Sequence, residues 1–141
     1  MNTRLKSIVA VGAGFVTSTI LSMGTDTIFE NTGIFPTIAE QQKVGFDILW
    51  MNILALIYRI AFTVVGGYVT SKLAPDNVLR HASILGVIAT VIAIIGNVAV
   101  AMIPATANVL PLWFSIVLVI IPYPFTRLGG KLYASKSKKL S

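Results

Sequence analysis

Four apolar runs, each long enough to cross a bilayer, constrain this chain more than any other feature. They begin at Leu5, Ile48, Ala82 and Pro111, with more polar segments between them. A hydrocarbon layer about 30 Å thick takes about 20 helical residues to cross. Inside it every backbone N–H and C=O must be paired within the protein, which leaves only helices or closed barrels. These runs lack the alternation of barrel strands. The expected fold is therefore all-α: one domain, a transmembrane four-helix bundle with helices at about 5–24, 48–73, 78–103 and 110–127. An extracytoplasmic loop is expected at 25–47, and a basic cytoplasmic tail at 128–141.

The composition agrees. Hydrophobic residues make up 55% of the chain and charged residues 11%, against about 25% charged in a typical soluble protein. Too few charges remain to coat a water-soluble domain, so the lipid bilayer is the first expected partner. The net charge of +6 raises the question of nucleic acid. Its distribution answers it, because the basic residues flank the apolar runs and none of the stacking aromatics of a nucleic-acid groove accompanies them. Nine of them (Arg4, Lys6, Lys72, Arg80, Arg127, Lys131, Lys136, Lys138 and Lys139) fall on one side of the expected membrane and only Lys43 on the other. By the positive-inside rule both termini are expected in the cytoplasm. The first run also has the basic start of a signal peptide, but it is long enough to span and lacks an A-x-A site, so a retained helix is expected.

The eleventh basic residue, Arg59, lies inside the second span. A charge near the bilayer midplane costs about 2.5–3.5 kcal/mol on insertion scales, so it should face the bundle interior or a cavity. Asn52, Thr63 and Gly66 follow it on one helical stripe, at i−7, i+4 and i+7. Thr17 and Ser18 in the first span and Asn97 in the third lie at comparable or slightly outer depth. Besides snorkelling without consequence, two readings of this set stay open. Arg59 either binds an anion or carboxylate with its planar fork of donors, or locks the fold by bonding helix carbonyls, Asn97, or Asp26 or Glu30 in a folded-over loop. No acidic residue falls within the four expected spans, which argues against a paired proton relay.

Other chemistries find little footing. The chain has no cysteine and a single histidine, His81, so neither a thiolate nucleophile nor a sulfur or multi-histidine metal site is expected. No serine has a histidine partner at matching depth, and Val11-Gly12-Ala13-Gly14 lies inside a span without the third glycine of a phosphate loop. No cofactor and no enzymatic activity are expected. Ala10, Gly14 and Ser18 at four-residue spacing, with Gly66, Gly67, Gly86, Ala89, Ala93 and Gly96, give faces for close helix packing, either within one bundle or in a homodimer or partner contact.

The stretch from Tyr58-Arg59 through Gly66-Gly67-Tyr68, Leu73-Ala74-Pro75, His81-Ala82 and Leu85-Gly86 resembles a pattern in small, uncharacterised bacterial inner-membrane proteins with four transmembrane helices. Pro122 and Gly129-Gly130-Lys131-Leu132 fit the same picture. The resemblance implies a bacterial inner membrane and a four-helix bundle, without an activity. The expected function is that of a non-enzymatic accessory or structural membrane subunit. The alternative is an oligomeric transporter or channel-like protein that binds a small anionic solute at Arg59.

Overall fold

The computed structural model describes residues 2–140. In chain order the elements are α1 (Thr3–Asn31), α2 (Ile38–Val44), α3 (Leu49–Leu73), α4 (Val78–Met102), α5 (Leu112–Ile120) and α6 (Pro122–Leu140). No strand occurs among the described residues. Helices α1, α3 and α4 are each long and apolar enough to cross a membrane, and so are α5 and α6 taken together. The protein is thus an all-α bundle of four membrane-competent helices. Helix α3 packs against α1, α6 and α4, and α4 packs against α6, whereas α1 and α4 meet over less of their length.

Burial runs opposite to that of a soluble bundle. Only 11–28% of the apolar stretch of each span is buried. Large aliphatics point outward, with Ile8, Ile20 and Ile95 all more than 60% exposed, and such faces need lipid around them. Inside, small and polar residues make the contacts. Thr70 donates to the Ala10 carbonyl at 3.1 Å, Ser7 meets His81 at 2.8 Å, and Gly130 approaches Ala82. These pairs put both termini at one end of the bundle, the terminal end. At the opposite, distal end a cluster of Phe35, Phe46, Ala55, Tyr58 and Phe114 forms the largest apolar core.

Two boundaries differ from the hydropathy expectation. Helix α1 continues past residue 24 to Asn31, so the segment expected as the start of a loop is two turns of helix. Thr25, Thr27 and Thr32 each donate their hydroxyl to a carbonyl four residues back, at 2.8, 2.9 and 2.8 Å. That satisfies the polar side chains without leaving the helix, and no proline interrupts the chain before Pro36. The fourth span also runs past 127 and stays helical through Leu140. Ile121 keeps a helical backbone, with its N–H bonded to the Val117 carbonyl at 3.0 Å. Pro122 therefore removes one N–H from the helical ladder about 15 Å below Leu112 without ending the span, and the ladder resumes with the Phe125 N–H on the Ile121 carbonyl at 3.3 Å. At the terminal end Asn77 caps α4, its side-chain oxygen accepting from the Arg80 N–H at 3.2 Å.

Helix α2 roofs the distal end. Seven residues are too few for a stable isolated helix, and a capping box holds this one. The Thr37 N–H donates to Glu40 Oε2 at 2.8 Å, and the Glu40 N–H donates to Thr37 Oγ1 at 3.4 Å. We expect Thr37→Ala to cost α2 about 1 kcal/mol. Amide exchange across residues 38–44 should quicken while the melting temperature of the bundle stays put. A protected α2 in the variant would show that tertiary contacts, not the cap, hold the roof.

Candidate functional site

Because α1 is helical through Asn31, Asp26 sits on a spanning helix opposite Arg59 of α3. Cβ atoms tilt toward the N-terminus of their own helix. In the antiparallel α1–α3 pair the two side chains therefore lean toward each other. Arg59 Nη2 donates to Asp26 Oδ2 at 2.6 Å, and the Tyr58 hydroxyl donates to Asp26 Oδ1. The guanidinium also lies 5.7 Å from the centre of the Tyr58 ring. Arg59 is about 15 Å along the axis from Leu49, roughly mid-depth for a layer of about 30 Å. At that depth an opposite charge offsets much of the cost of a lone arginine.

Tyr58 is held from several sides. Its ring meets Phe29 edge-on at 5.6 Å, Phe62 at 6.0 Å and Phe35 at 6.5 Å, and it is 8% exposed. Offset and edge contacts of this kind favour one ring orientation, which aims the hydroxyl at Asp26. The Nε of Arg59 is buried and lacks a partner.

Arg59, Val100 and Leu118 each line two cavities. The distal one, about 290 Å³, lies under α2 and is lined by Asp26, Glu30, Tyr58 and aromatic residues of the distal core. The central one, about 440 Å³, lies between the four spans. Of the residues singled out from sequence, Ser18, Thr63 and Asn97 join Arg59 around the central cavity. Each returns its polar group to its own helix: Ser18 to the Phe15 carbonyl (3.0 Å), Thr63 to Arg59 (2.7 Å), Asn97 to Ala93 (2.8 Å). Thr126, a further lining residue, bonds the Pro122 carbonyl at 2.8 Å. Thr19, Ser22 and the Asn97 side-chain oxygen are the further polar groups on its wall.

The other two predicted residues lie elsewhere. Thr17 lines neither cavity. Asn52 is fully buried near the distal end, where its Nδ2 donates to the Phe46 carbonyl at 3.2 Å and ties the start of α3 to the linker. Tyr58 is the residue the sequence reading left out of the site, and Asp26 and Glu30 entered it only as lock partners in a folded-over loop, whereas both lie on α1. The signal was present, since nothing between Thr3 and Asn31 stops a helix, but the polar Gly24-Thr25-Asp26 reads as the end of a hydrophobic run.

A second polar network staples the terminal end. His81 is 5% exposed; its Nδ1 faces the Asn77 carbonyl at 3.1 Å and its Nε2 faces the Ser7 hydroxyl at 2.8 Å. A carbonyl only accepts, so the Asn77 contact needs a proton on Nδ1, while the Ser7 hydroxyl is shared between His81 Nε2 and the Thr3 carbonyl, 3.1 Å away. Asp76 stands 3.7 Å from Nδ1 but is largely exposed. The geometry makes His81 a clamp between α1 and α4. Compared with protein-family models, curated proteins and solved structures, the chain matches none. The resemblance noted between Tyr58 and Gly86 thus stands on that pattern alone.

Proposed function

We propose that this is a non-enzymatic, multi-pass protein of the bacterial inner membrane, an accessory or structural subunit with both termini in the cytoplasm. In it the Asp26–Arg59 pair locks α1 to α3. The observation that carries this reading is that the guanidinium is already engaged by Asp26 at 2.6 Å. An anion would have to displace a carboxylate from it. The nine-to-one distribution of basic residues supports the orientation. A homodimer or partner contact would use faces left over from packing: Gly14, Gly66, Gly67 and Gly86 are consumed within the bundle, whereas Gly12 and Gly96 have nothing within 4 Å.

A second reading, transport of a small anion, draws on one observation: Arg59 lines both cavities. Opening the ion pair would join them. Thermal unfolding of detergent-purified wild type and Arg59→Lys, each with a panel of small anions and carboxylates, separates the two. For the lock, no anion shifts the wild type, and Arg59→Lys melts lower with no solute present, because lysine keeps the charge but loses the fork. A rise of several degrees with one anion, seen only when Arg59 is present, would replace the lock with the transport reading.

A further inference from the structure

We infer that the distal cavity is a binding site for a small organic ammonium ion, its charge held by the Glu30 carboxylate and its alkyl groups by the surrounding aromatic rings. This goes beyond the lock and does not depend on it.

The charge balance of the cavity is the first support. Three ionised side chains line it, Asp26, Glu30 and Arg59. Asp26 and Arg59 neutralise each other, and Glu30 has no side-chain partner among the described residues. One negative charge is left over. The helix worsens the imbalance, because Glu30 lies in the last turn of α1, which carries no basic residue. A helix C-terminus bears about half a negative charge and favours cations. A cation entering the cavity relieves both of these terms together.

The walls specify what kind of cation. Phe35, Phe46, Tyr58 and Phe114 line the cavity and are each less than 10% exposed. Phe35 and Phe46 meet edge-on at 5.1 Å, so the rings are set at an angle rather than stacked flat. An angled aromatic wall beside a carboxylate is how proteins hold alkylammonium groups. A metal ion fits poorly, since hard cations take six or more oxygen ligands and most of this wall is carbon. An anion meets a net negative site whose one arginine is already paired. At about 290 Å³ the space lies at the lower end of ligand pockets, which suits a compact ion. Gln41 and Gln42 of α2 complete the roof.

The test is calorimetric titration and thermal unfolding of the full-length protein in neutral detergent, with tetramethylammonium and choline as probes. The uncharged choline isostere 3,3-dimethylbutanol and sodium chloride at matched ionic strength are the controls. Saturable binding of both ammonium ions is expected, with no comparable effect of either control. Glu30→Gln should weaken that binding about tenfold without lowering the melting temperature in the absence of ligand, since the Glu30 carboxylate has no side-chain partner to lose and its charge is unfavourable at a helix C-terminus. Phe35→Leu, which keeps an apolar wall but removes a ring, should weaken binding severalfold. Equal binding of the uncharged isostere would overturn the proposal, as would unaltered affinity in Glu30→Gln or no saturable response to either ammonium ion. The lock is judged separately by the melting of Arg59→Lys without ligand, so either idea can fail alone.

Discussion

Gly129→Val is expected to disrupt the bundle. A Cβ at Gly129 would stand 2.1 Å from the Val64 carbonyl oxygen and 2.7 Å from the Tyr68 nitrogen, both backbone atoms of α3. Backbone cannot swing aside as a side-chain tip can, so α6 would have to move away from α3. The seam is reciprocal, because a Cβ at Gly67 of α3 would meet the Thr126 carbonyl of α6 at 2.1 Å. Overpacking a well-filled core costs about 1–3 kcal/mol. A clash with backbone on the most central helix should reach or exceed about 3 kcal/mol, seen as a large fall in membrane yield and in melting temperature. Gly12→Ala and Gly96→Ala are the matched controls. Neither added Cβ meets anything within 4 Å, and alanine's helix propensity favours each by up to about 1 kcal/mol. If Gly129→Val melts like these controls, α3 and α6 do not cross at these glycines.

The next largest effect is expected at the ion pair. Asp26→Ala should leave Arg59 without its counter-charge near mid-depth, and Arg59→Leu should do the same to Asp26. Stripping one partner from a fully buried pair costs about 3–5 kcal/mol. Here the side chains of Arg59 and Asp26 are 31% and 26% exposed, so about 2–3 kcal/mol is expected for each. The diagnostic is the double variant. Asp26→Ala with Arg59→Leu removes both charges and should recover much of the loss, because no uncompensated ion remains. Tyr58→Phe, which removes only the donation to Asp26, should cost about 1 kcal/mol. A cycle of unfolding measurements in detergent reads the coupling directly. Strictly additive single and double losses would mean that the pair does not hold α1 to α3.

How much of this was legible varies along the chain. The spans were visible because hydrophobicity over about 20 residues is a local property. Arg59 was visible for a related reason: any charge deep in an apolar run stands out. Asp26 was not visible as a helical residue, because it lies beside Thr25 and Thr27, whose hydroxyls bond carbonyls four residues back within the helix. Hydropathy scores those threonines as polar and ends the span at them. The lock reading did include Asp26 and Glu30 as possible partners, though in a folded-over loop. They belong instead to the last two turns of α1. Glycine patterns likewise marked close packing without saying which helices meet; Gly14 and Gly66 join α1 to α3, while Gly67 and Gly129 join α3 to α6.

The central cavity shows the same divide. Ser18, Thr63 and Asn97 do surround it with Arg59, as their depth implied. Their hydrogen bonds nevertheless turn inward to their own helices, which shared depth alone does not reveal. Membrane-competent helices and their number follow from sequence because each helix satisfies its own backbone, and lipid rewards every apolar run independently. Rotation, register and partner choice follow from contacts between helices, where one Cβ at Gly129 or one tilt of Asp26 toward Arg59 changes what meets what. Those contacts join residues 33, 60 and 74 positions apart, and no local pattern encodes them.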